Sequence, residues 1–269
     1  MLRFILLSAL AALVLTEDLA SKPKHLEEVP RTKVVGGDIA LPNSWPWQVS
    51  LLVKSGVSYF QNCGGILIRT GWVLTAASCV DSPKTLLVVL GEYNLNSIEG
   101  TEQLITVSRI IIHPLWNKNL ASGNDIALLQ LSTPATLNSA VQLAALPPSG
   151  QILPNNYPCY ITGWGSTFTG GLVSNSLRQA YLPIVDYPTC SSPSWWGAVA
   201  KPNMICAGGS TNSACYGDSG GPLNCQVGGR YYVHGVTSFV SAAGCNTFQK
   251  PTGFTRVSAY ISWITGFTG

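Results

Sequence analysis

Eight cysteines are the feature that most restricts what this 269-residue chain can fold into. Their number is even, and no two of them are as close as two to four residues apart. Closely spaced pairs are typical of zinc sites, whereas scattered cysteines in a secreted chain indicate disulfides. We therefore expect four bridges, and counting alone leaves roughly a hundred pairings open.

The start of the sequence indicates secretion. Met1-Leu2-Arg3 precede an apolar run over residues 4–15, which has the charge and length of a signal peptide ending near Thr16. A membrane anchor is the alternative, but it needs about 20 apolar residues to cross about 30 Å of hydrocarbon. We predict a signal peptide over 1–16, a secreted, extracellular protein and no membrane partner. Its cysteines would then meet an oxidising environment.

Short apolar, β-branched runs dominate the rest of the chain. With 46% hydrophobic and 10% charged residues, the chain can bury a large core. Gly, Pro, Asn and Ser clusters separate the runs, which predicts antiparallel strands in a barrel or sandwich. The runs cover 47–53, 85–90, 104–112, 126–131 and 231–239.

Only the C-terminus has a helical pattern. Val257, Tyr260, Ile261 and Ile264 fall at i, i+3, i+4 and i+7, which places them on one helix face. The net charge of +3 comes from 15 basic and 12 acidic residues without a basic run. The charge therefore gives no reason to expect a nucleic-acid partner.

Two strings indicate nucleophilic chemistry. In Cys-Tyr-Gly-Asp-Ser-Gly-Gly-Pro-Leu at 215–223, glycines on both sides let the backbone turn tightly and present the Ser219 hydroxyl. The backbone N–H groups of Gly217 and Ser219 are then available to an oxyanion. Asp125 heads the apolar run 126–131, where burial is costly unless the carboxylate is hydrogen-bonded. An ordinary turn and a strand-capping aspartate are the alternatives.

Three further strings complete a known pattern: Asn-Cys-Gly-Gly at 62–65, Trp-Val-Leu-Thr-Ala-Ala-Ser-Cys at 72–79 and Ile-Thr-Gly-Trp-Gly at 161–165. In this order, the five strings resemble the chymotrypsin-type serine proteases from Val34 to the C-terminal helix. Within that family the chain is similar to the pancreatic elastases at 43–47, 153–160, 185–187 and 195–197.

The resemblance implies an all-β fold over residues 34–269. Two packed six-stranded antiparallel β-barrels would carry the site in the cleft between them, followed by a short C-terminal helix. Ser219 would be the nucleophile, Asp125 the orienting carboxylate, and the N–H groups of Gly217 and Ser219 the oxyanion hole. The implied bridges are Cys63–Cys79, Cys159–Cys225, Cys190–Cys206 and Cys215–Cys245.

The resemblance also implies activation by cleavage. Lys33 precedes Val-Val-Gly-Gly at 34–37, so residues 17–33 would be an activation peptide removed by a trypsin-like protease. The new α-amino group of Val34 would pair with Asp218. An exposed charge in the leader is the alternative reading of Lys33. Some relatives tether the leader by a disulfide, but this leader has no cysteine and Ala145 stands where its partner would be, so it should dissociate.

Three uncharged residues define the implied specificity pocket. Ser213 would form its base, and Val240 and Thr252 its walls. A substrate Lys or Arg would remain unpaired there and is disfavoured. The aromatic-preferring relatives have glycine at the two wall positions, so the bulkier Val240 and Thr252 should shorten the pocket and admit Ala or Val. Tyr216 and Gly253 depart from the elastase pattern, which leaves the pocket volume open.

One acidic loop matches the calcium loop of the family. The implied Ca²⁺ ligands are Glu92, Glu99, Glu102 and the carbonyls of Asn94 and Ser97, which are hard oxygen donors. The ion would be structural, and a solvated acidic loop is the alternative.

Ser78 is the departure that matters most. The family has its general-base histidine at this position, before the second cysteine of Leu-Thr-Ala-Ala-x-Cys. A serine hydroxyl cannot accept the nucleophile's proton near neutral pH. His25 in the leader, His113 in a first-barrel surface loop and His234 on a second-barrel strand are not expected to replace it. Gln61 stands at another position that is often histidine in relatives.

Two functions remain open. The first is an elastase-like serine endopeptidase, strongly impaired or inactive, that acts on protein or peptide substrates. The second is a pseudoprotease that binds peptides or protease inhibitors without cutting them. In both cases we expect a monomer.

Overall fold

The computed structural model describes Val35 and residues 37–269. The predicted signal peptide, the leader with His25, Lys33 and Val34 lie outside the described residues. The β-strands are β1 (Asp38–Ile39), β2 (Gln48–Ser55), β3 (Ser58–Arg69), β4 (Trp72–Thr75), β5 (Leu86–Leu90), β6 (Gln103–Ile112), β7 (Ala127–Leu131), β8 (Cys159–Gly163), β9 (Arg178–Tyr181), β10 (Ile184–Val185), β11 (Met204–Ala207), β12 (Pro222–Val227), β13 (Arg230–Phe239) and β14 (Thr252–Arg256). The α-helices are α1 (Tyr187–Cys190) and α2 (Ile261–Thr268), and 3₁₀ turns cover Ala77–Cys79, Leu120–Ser122, Gly197–Val199 and Val257–Ala259.

The first half of the fold is a closed antiparallel barrel with the strand order β2-β3-β4-β7-β6-β5. Alternate residues of β5, Leu86, Val88 and Leu90, are buried, as expected for a strand with one face toward a core. In β7, by contrast, Ala127, Leu128 and Leu129 are all buried, because this strand is covered on both faces.

The second half is one antiparallel sheet of eight strands in the order β1-β9-β8-β12-β13-β14-β11-β10. The predicted all-β, chymotrypsin-type fold is confirmed. The second sheet curls as a half-barrel, and the two-residue strands β1 and β10 lie at its edges.

The strand predictions are confirmed to within about two residues at each of the five runs. The helix at the C-terminus is also present, but it begins at Ile261. Val257 lies in the preceding 3₁₀ turn, and Tyr260 precedes the helix. Ile264 is buried in the core, as its place on the predicted face requires. The described residues contain no helix that is long and apolar enough to cross a membrane.

All four disulfides implied by the family resemblance form, and the described part of the chain contains no free cysteine. Cys63–Cys79 joins β3 to the 3₁₀ turn that carries Ser78. Cys215–Cys245 fixes the start of the segment that carries Ser219. Two bridges therefore restrain the backbone next to the predicted site.

Buried polar side chains join the two halves. The indole N–H of Trp47 donates to the Asn224 side chain at 2.8 Å, and the Thr162 hydroxyl donates to the Gln48 side chain at 2.7 Å. Each pair links the β2 region of the barrel to the second sheet. Because both partners are buried, breaking a pair would leave an unsatisfied polar group.

Glycines let the halves approach most closely beside Ser219. The Gly64 N–H donates to the Ser219 carbonyl at 2.7 Å, and the Thr75 hydroxyl donates to the Gly64 carbonyl at 2.8 Å. A Cβ added to Gly64 would lie 2.8 Å from Cα of Gly221. The barrel and the segment with the predicted nucleophile are thus held in backbone contact.

We predict that Gly64→Ala lowers the free energy of unfolding by about 1–3 kcal/mol, because its methyl group meets backbone atoms that cannot move aside. Denaturant unfolding with the disulfides intact measures this. Gly71→Ala is the matched control, since a Cβ there meets nothing within 4 Å. Equal stability of the two variants would contradict the inferred close contact.

Candidate active site

A tight turn carries Ser219 between Cys215 and β12. Gly217 and Gly220 have φ values of +99° and +81°, a region that other residues rarely adopt. Hydrogen bonds from the Asp218 N–H to the Cys215 carbonyl and from the Gly220 N–H to the Thr237 carbonyl fix the turn. Ser219 itself is half-buried at the point where the two halves meet.

Asp218 is buried directly behind this turn, with 1% of its surface exposed. Its Oδ1 accepts from the Gly165 N–H at 2.8 Å, and its Oδ2 accepts from the Cys215 N–H at 2.9 Å. A Cβ on Gly165 would lie 2.6 Å from Oδ1, so the Gly-Trp-Gly string leaves the space that this carboxylate occupies. Burial raises the pKa of Asp218 to about 6, while the two N–H donors act to lower it.

The described start of the chain lies close to the same region. Val35 forms an isolated antiparallel bridge with Ser213, which is five residues before Asp218. Lys33 and Val34, assigned to the activation site from the sequence, lie outside the described residues.

Asp125 is the second buried carboxylate, again with 1% of its surface exposed. Its Oδ1 accepts from the Ser78 N–H at 2.7 Å. Its Oδ2 accepts from the hydroxyls of Ser78 at 3.0 Å and Ser238 at 2.6 Å. Burial raises the pKa of Asp125, and the bonds from Ser238 and Ser78 oppose that rise. Three donors from two separate segments therefore hold this carboxylate in place.

The backbone around Asp125 is anchored from the second half of the fold. The Thr255 hydroxyl of β14 donates to the Asp125 carbonyl at 2.7 Å. The preceding residue, Asn124, has a φ of +60° and accepts from the Tyr260 hydroxyl at 2.9 Å. These bonds fix the position and the direction of the Asp125 side chain.

Ser78 is the barrel residue that hydrogen-bonds to Asp125. It lies in the 3₁₀ turn after β4, and both its N–H and its hydroxyl donate to Asp125. A neutral serine hydroxyl is too weak a base to take a proton from a second serine at neutral pH. Ser78 therefore satisfies Asp125 as a hydrogen-bond donor without supplying a base.

Neither of the two described histidines hydrogen-bonds to the Asp125 carboxylate. The His113 ring packs edge-on against Tyr260 and Trp263, with centroid distances of 5.1 Å, so it is covered by the C-terminal segment. His234 is 1% exposed, and burial lowers its pKa to about 4, which makes it neutral at physiological pH. Among the described residues, Ser78 and Ser238 are the groups that hydrogen-bond to the Asp125 carboxylate.

Two of the three predicted pocket residues, Ser213 and Thr252, lie on segments that are hydrogen-bonded to each other. Ser213 and Thr252 are buried, and Val240 is half-buried. The Ala214 N–H donates to the Thr252 hydroxyl at 2.9 Å, which ties the two buried segments to each other. All three predicted pocket residues are uncharged, so they offer no partner to a cationic side chain.

The acidic loop gathers the three glutamates assigned to calcium. Carboxylate oxygens of Glu92, Glu99 and Glu102 lie within 4.8 Å of one another. Burial, and then the charges of Glu102 and Glu99, raise the pKa of Glu92 to about 7. The Asn94 carbonyl accepts from the Ser97 N–H at 2.9 Å, so both predicted carbonyl donors lie in one turn of this loop.

Sequence reasoning missed Ser238 and Thr255, which fix Asp125 from the second sheet. Both lie inside strands, and a single hydroxyl residue in a strand gives no sign of its partner. The available signal was the apolar character of the residues around them, which predicts buried strands. A hydroxyl at a buried strand position needs a hydrogen-bond partner.

Comparison with known proteins gives the family. The family model described as Trypsin matches residues 34–264, which includes every site residue described above. The chain belongs to the trypsin family of serine proteases.

Members of this family that are similar to the chain are elastases. It is 60% identical over 242 residues to chymotrypsin-like elastase family member 1 of Bos taurus, which covers 88% of this chain and 91% of that protein. The Homo sapiens protein of the same name is 58% identical over 242 residues, covering 88% and 94%. Proproteinase E of Bos taurus is 55% identical over 239 residues, covering 87% and 94%. The chain is thus an elastase-like member of the trypsin family.

Proposed function

We propose that the mature chain is an elastase-like endopeptidase scaffold that binds peptides in its cleft and hydrolyses them very slowly. The observation that carries this proposal is the double hydrogen bond from Ser78 to Asp125. In a serine-protease triad the aspartate orients an imidazole. Here Asp125 is hydrogen-bonded to Ser78, whose hydroxyl is not a base at neutral pH. The proposed nucleophile is Ser219, and the N–H groups of Gly217 and Ser219 would receive the oxyanion.

The expected loss is large because the base acts in every turnover. In a convergent serine protease with the same triad, removing the histidine lowers turnover by about a million-fold. About a thousand- to ten-thousand-fold acceleration over water remains, from the oxyanion hole and from substrate binding. A histidine of the substrate, beside the scissile bond, is the remaining source of an imidazole that could act as the base in such a cleft.

A pseudoprotease is the second candidate, and one observation favours it. The parts that bind rather than cleave are well formed: Asp218 is hydrogen-bonded behind the Ser219 turn, and Thr252 is bonded to Ala214 at the pocket. Capture of peptides or protease inhibitors requires these parts and does not require a base. The uncharged Ser213, Val240 and Thr252 support binding of Ala or Val in the pocket and oppose binding of Lys or Arg.

We also propose that the protein is secreted as a precursor, through the signal peptide at 1–16, and activated after Lys33. The buried carboxylate of Asp218 supports this. It accepts from two N–H groups, and no cation in the described chain neutralises its charge. An α-amino group at Val34 would supply that cation one residue before the Val35–Ser213 bridge. The mature protein would be a monomer.

We predict that trypsin converts the chain to a product beginning Val-Val-Gly-Gly, because the freed Val34 amine would be buried and protected from further cleavage. N-terminal sequencing measures this. The variant Lys33→Gln is the control and should not yield that N-terminus. A stable product of the unmodified chain that begins at Thr32 would contradict the assignment.

A structural Ca²⁺ site is proposed in the acidic loop, where the residues fit the ion. Three mutually repelling carboxylates lie within reach of one cation, and hard oxygens are the donors that calcium prefers. Glu92, Glu99 and Glu102, with the carbonyls of Asn94 and Ser97, would hold it.

We predict that millimolar calcium raises the melting temperature relative to chelator, because an ion that binds only the folded state stabilises it. Differential scanning calorimetry measures the shift. In Glu92→Gln the shift should be much smaller, since one charged ligand is lost. If calcium raised the melting temperatures of both proteins equally, the ion would bind outside the acidic loop. If calcium did not raise the melting temperature of the unmodified chain, the proposed site would be contradicted.

We predict that Ser78→His raises amide hydrolysis by roughly 10⁵- to 10⁶-fold over the unmodified chain, because it supplies the missing base. Cleavage of peptide p-nitroanilides by the trypsin-treated proteins measures this, with Ala and Val preferred over Phe in the pocket. Ser78→His combined with Ser219→Ala is the control and should be inactive. Rapid turnover by the unmodified, contaminant-free chain would contradict the proposed impairment.

A further inference from the structure

An aromatic residue lies opposite a glycine beside the predicted pocket. Phe239 of β13 pairs across the sheet with Gly253 of β14, after an irregularity in β13 that follows Thr237. A Cβ added to Gly253 would lie 2.6 Å from Cε2 of Phe239 and closer still to two other atoms of the ring. The ring therefore occupies the space that any side chain at position 253 would need.

A second aromatic residue restricts where the ring can go. Trp196 packs against Phe239 in a T-shaped arrangement, with 5.1 Å between the ring centroids and 86° between the planes. The Trp196 indole N–H donates to the Pro251 carbonyl at 2.8 Å, and Lys250 lies with its Nζ 5.6 Å from the Trp196 centroid. Trp196 is thus fixed to the segment leading into β14, so a displaced Phe239 ring could not simply move toward it.

Phe239 lies in the chain between two residues assigned to the cleft. Ser238, the preceding residue, donates to Asp125, and Val240, the following residue, is a proposed wall of the pocket. The Phe239 side chain is half-buried and so partly accessible. The inference takes a bound peptide, with one side chain in the pocket and its carbonyl at Ser219, to run along this stretch with its preceding residue.

We propose that Gly253 is a specificity-determining residue: by leaving room for the Phe239 ring against β14, it opens the cleft to a bulky residue just before the one in the pocket. Gly253 acts through Phe239 and does not itself touch the peptide. The inference rests on the proposed peptide binding and adds a preference that the pocket residues do not set.

The test measures binding rather than hydrolysis, so it does not depend on Ser78. The probes are two acetylated peptides, Ala-Ala-Leu-Ala-Ala and Ala-Ala-Ala-Ala-Ala, each with an uncleavable reduced amide at the last bond. Isothermal titration of the trypsin-treated chain should show the Leu peptide binding at least as tightly as the Ala peptide. In Gly253→Ala we expect the Leu peptide to weaken about tenfold relative to the Ala peptide, a usual effect of altered fit in an apolar site.

Two variants separate a steric effect from general damage. Gly253→Ala combined with Phe239→Leu should restore the ratio of the two dissociation constants, because the smaller side chain leaves room for the new methyl group. Gly266→Ala is the matched control, since a Cβ there meets nothing within 4 Å, and its ratio should equal that of the unmodified chain.

An unchanged ratio in a folded Gly253→Ala protein would overturn the inference while leaving peptide binding intact. If Gly253→Ala does not fold, Phe239→Leu alone decides: it should shift the ratio further toward the Leu peptide, and no shift overturns the inference. Binding of neither peptide to the unmodified chain would instead overturn the proposed function and, with it, this inference.

Discussion

The burial of the Asp125 carboxylate is the constraint on which the cleft depends. A charged group removed from water is costly unless hydrogen bonds replace its hydration. Here the replacement comes from Ser78 on the barrel and Ser238 on the second sheet, while Thr255 holds the same residue's carbonyl. Both halves must be docked for these bonds to form, so the carboxylate helps to specify how the halves meet.

Ser78 satisfies this hydrogen bonding but supplies no base. A small apolar residue at position 78 would leave Oδ2 with a single hydroxyl donor, whereas serine supplies a second one at 3.0 Å. The fold therefore tolerates the residue without an uncompensated buried charge. Serine does not supply a group that can take a proton, and this is why we propose that peptides bind without rapid hydrolysis.

Much of the fold could be predicted from patterns within single segments. The run at 104–112 and the strand β6 differ by one residue at one end, and the family resemblance implied all four bridges. Contacts between distant segments were not predictable in the same way. Ser238 reaches Asp125 across 113 positions, and the Phe239–Gly253 pair depends on a register shift that no local pattern encodes. The second sheet is likewise open because its edge strands β1 and β10 do not pair with each other, which no pattern within one segment encodes.

The most direct test of the account is the reactivity of Ser219 toward diisopropyl fluorophosphate, which phosphorylates an activated serine hydroxyl with loss of fluoride. Intact-mass spectrometry of the trypsin-treated chain should show no adduct over a period in which the Ser78→His variant is fully labelled. A correctly folded chain with an unreactive Ser219 is what the Ser78–Asp125 geometry predicts. Labelling of Ser219 in the unmodified chain at a rate close to that of the variant would mean that another group activates it, and would contradict the account.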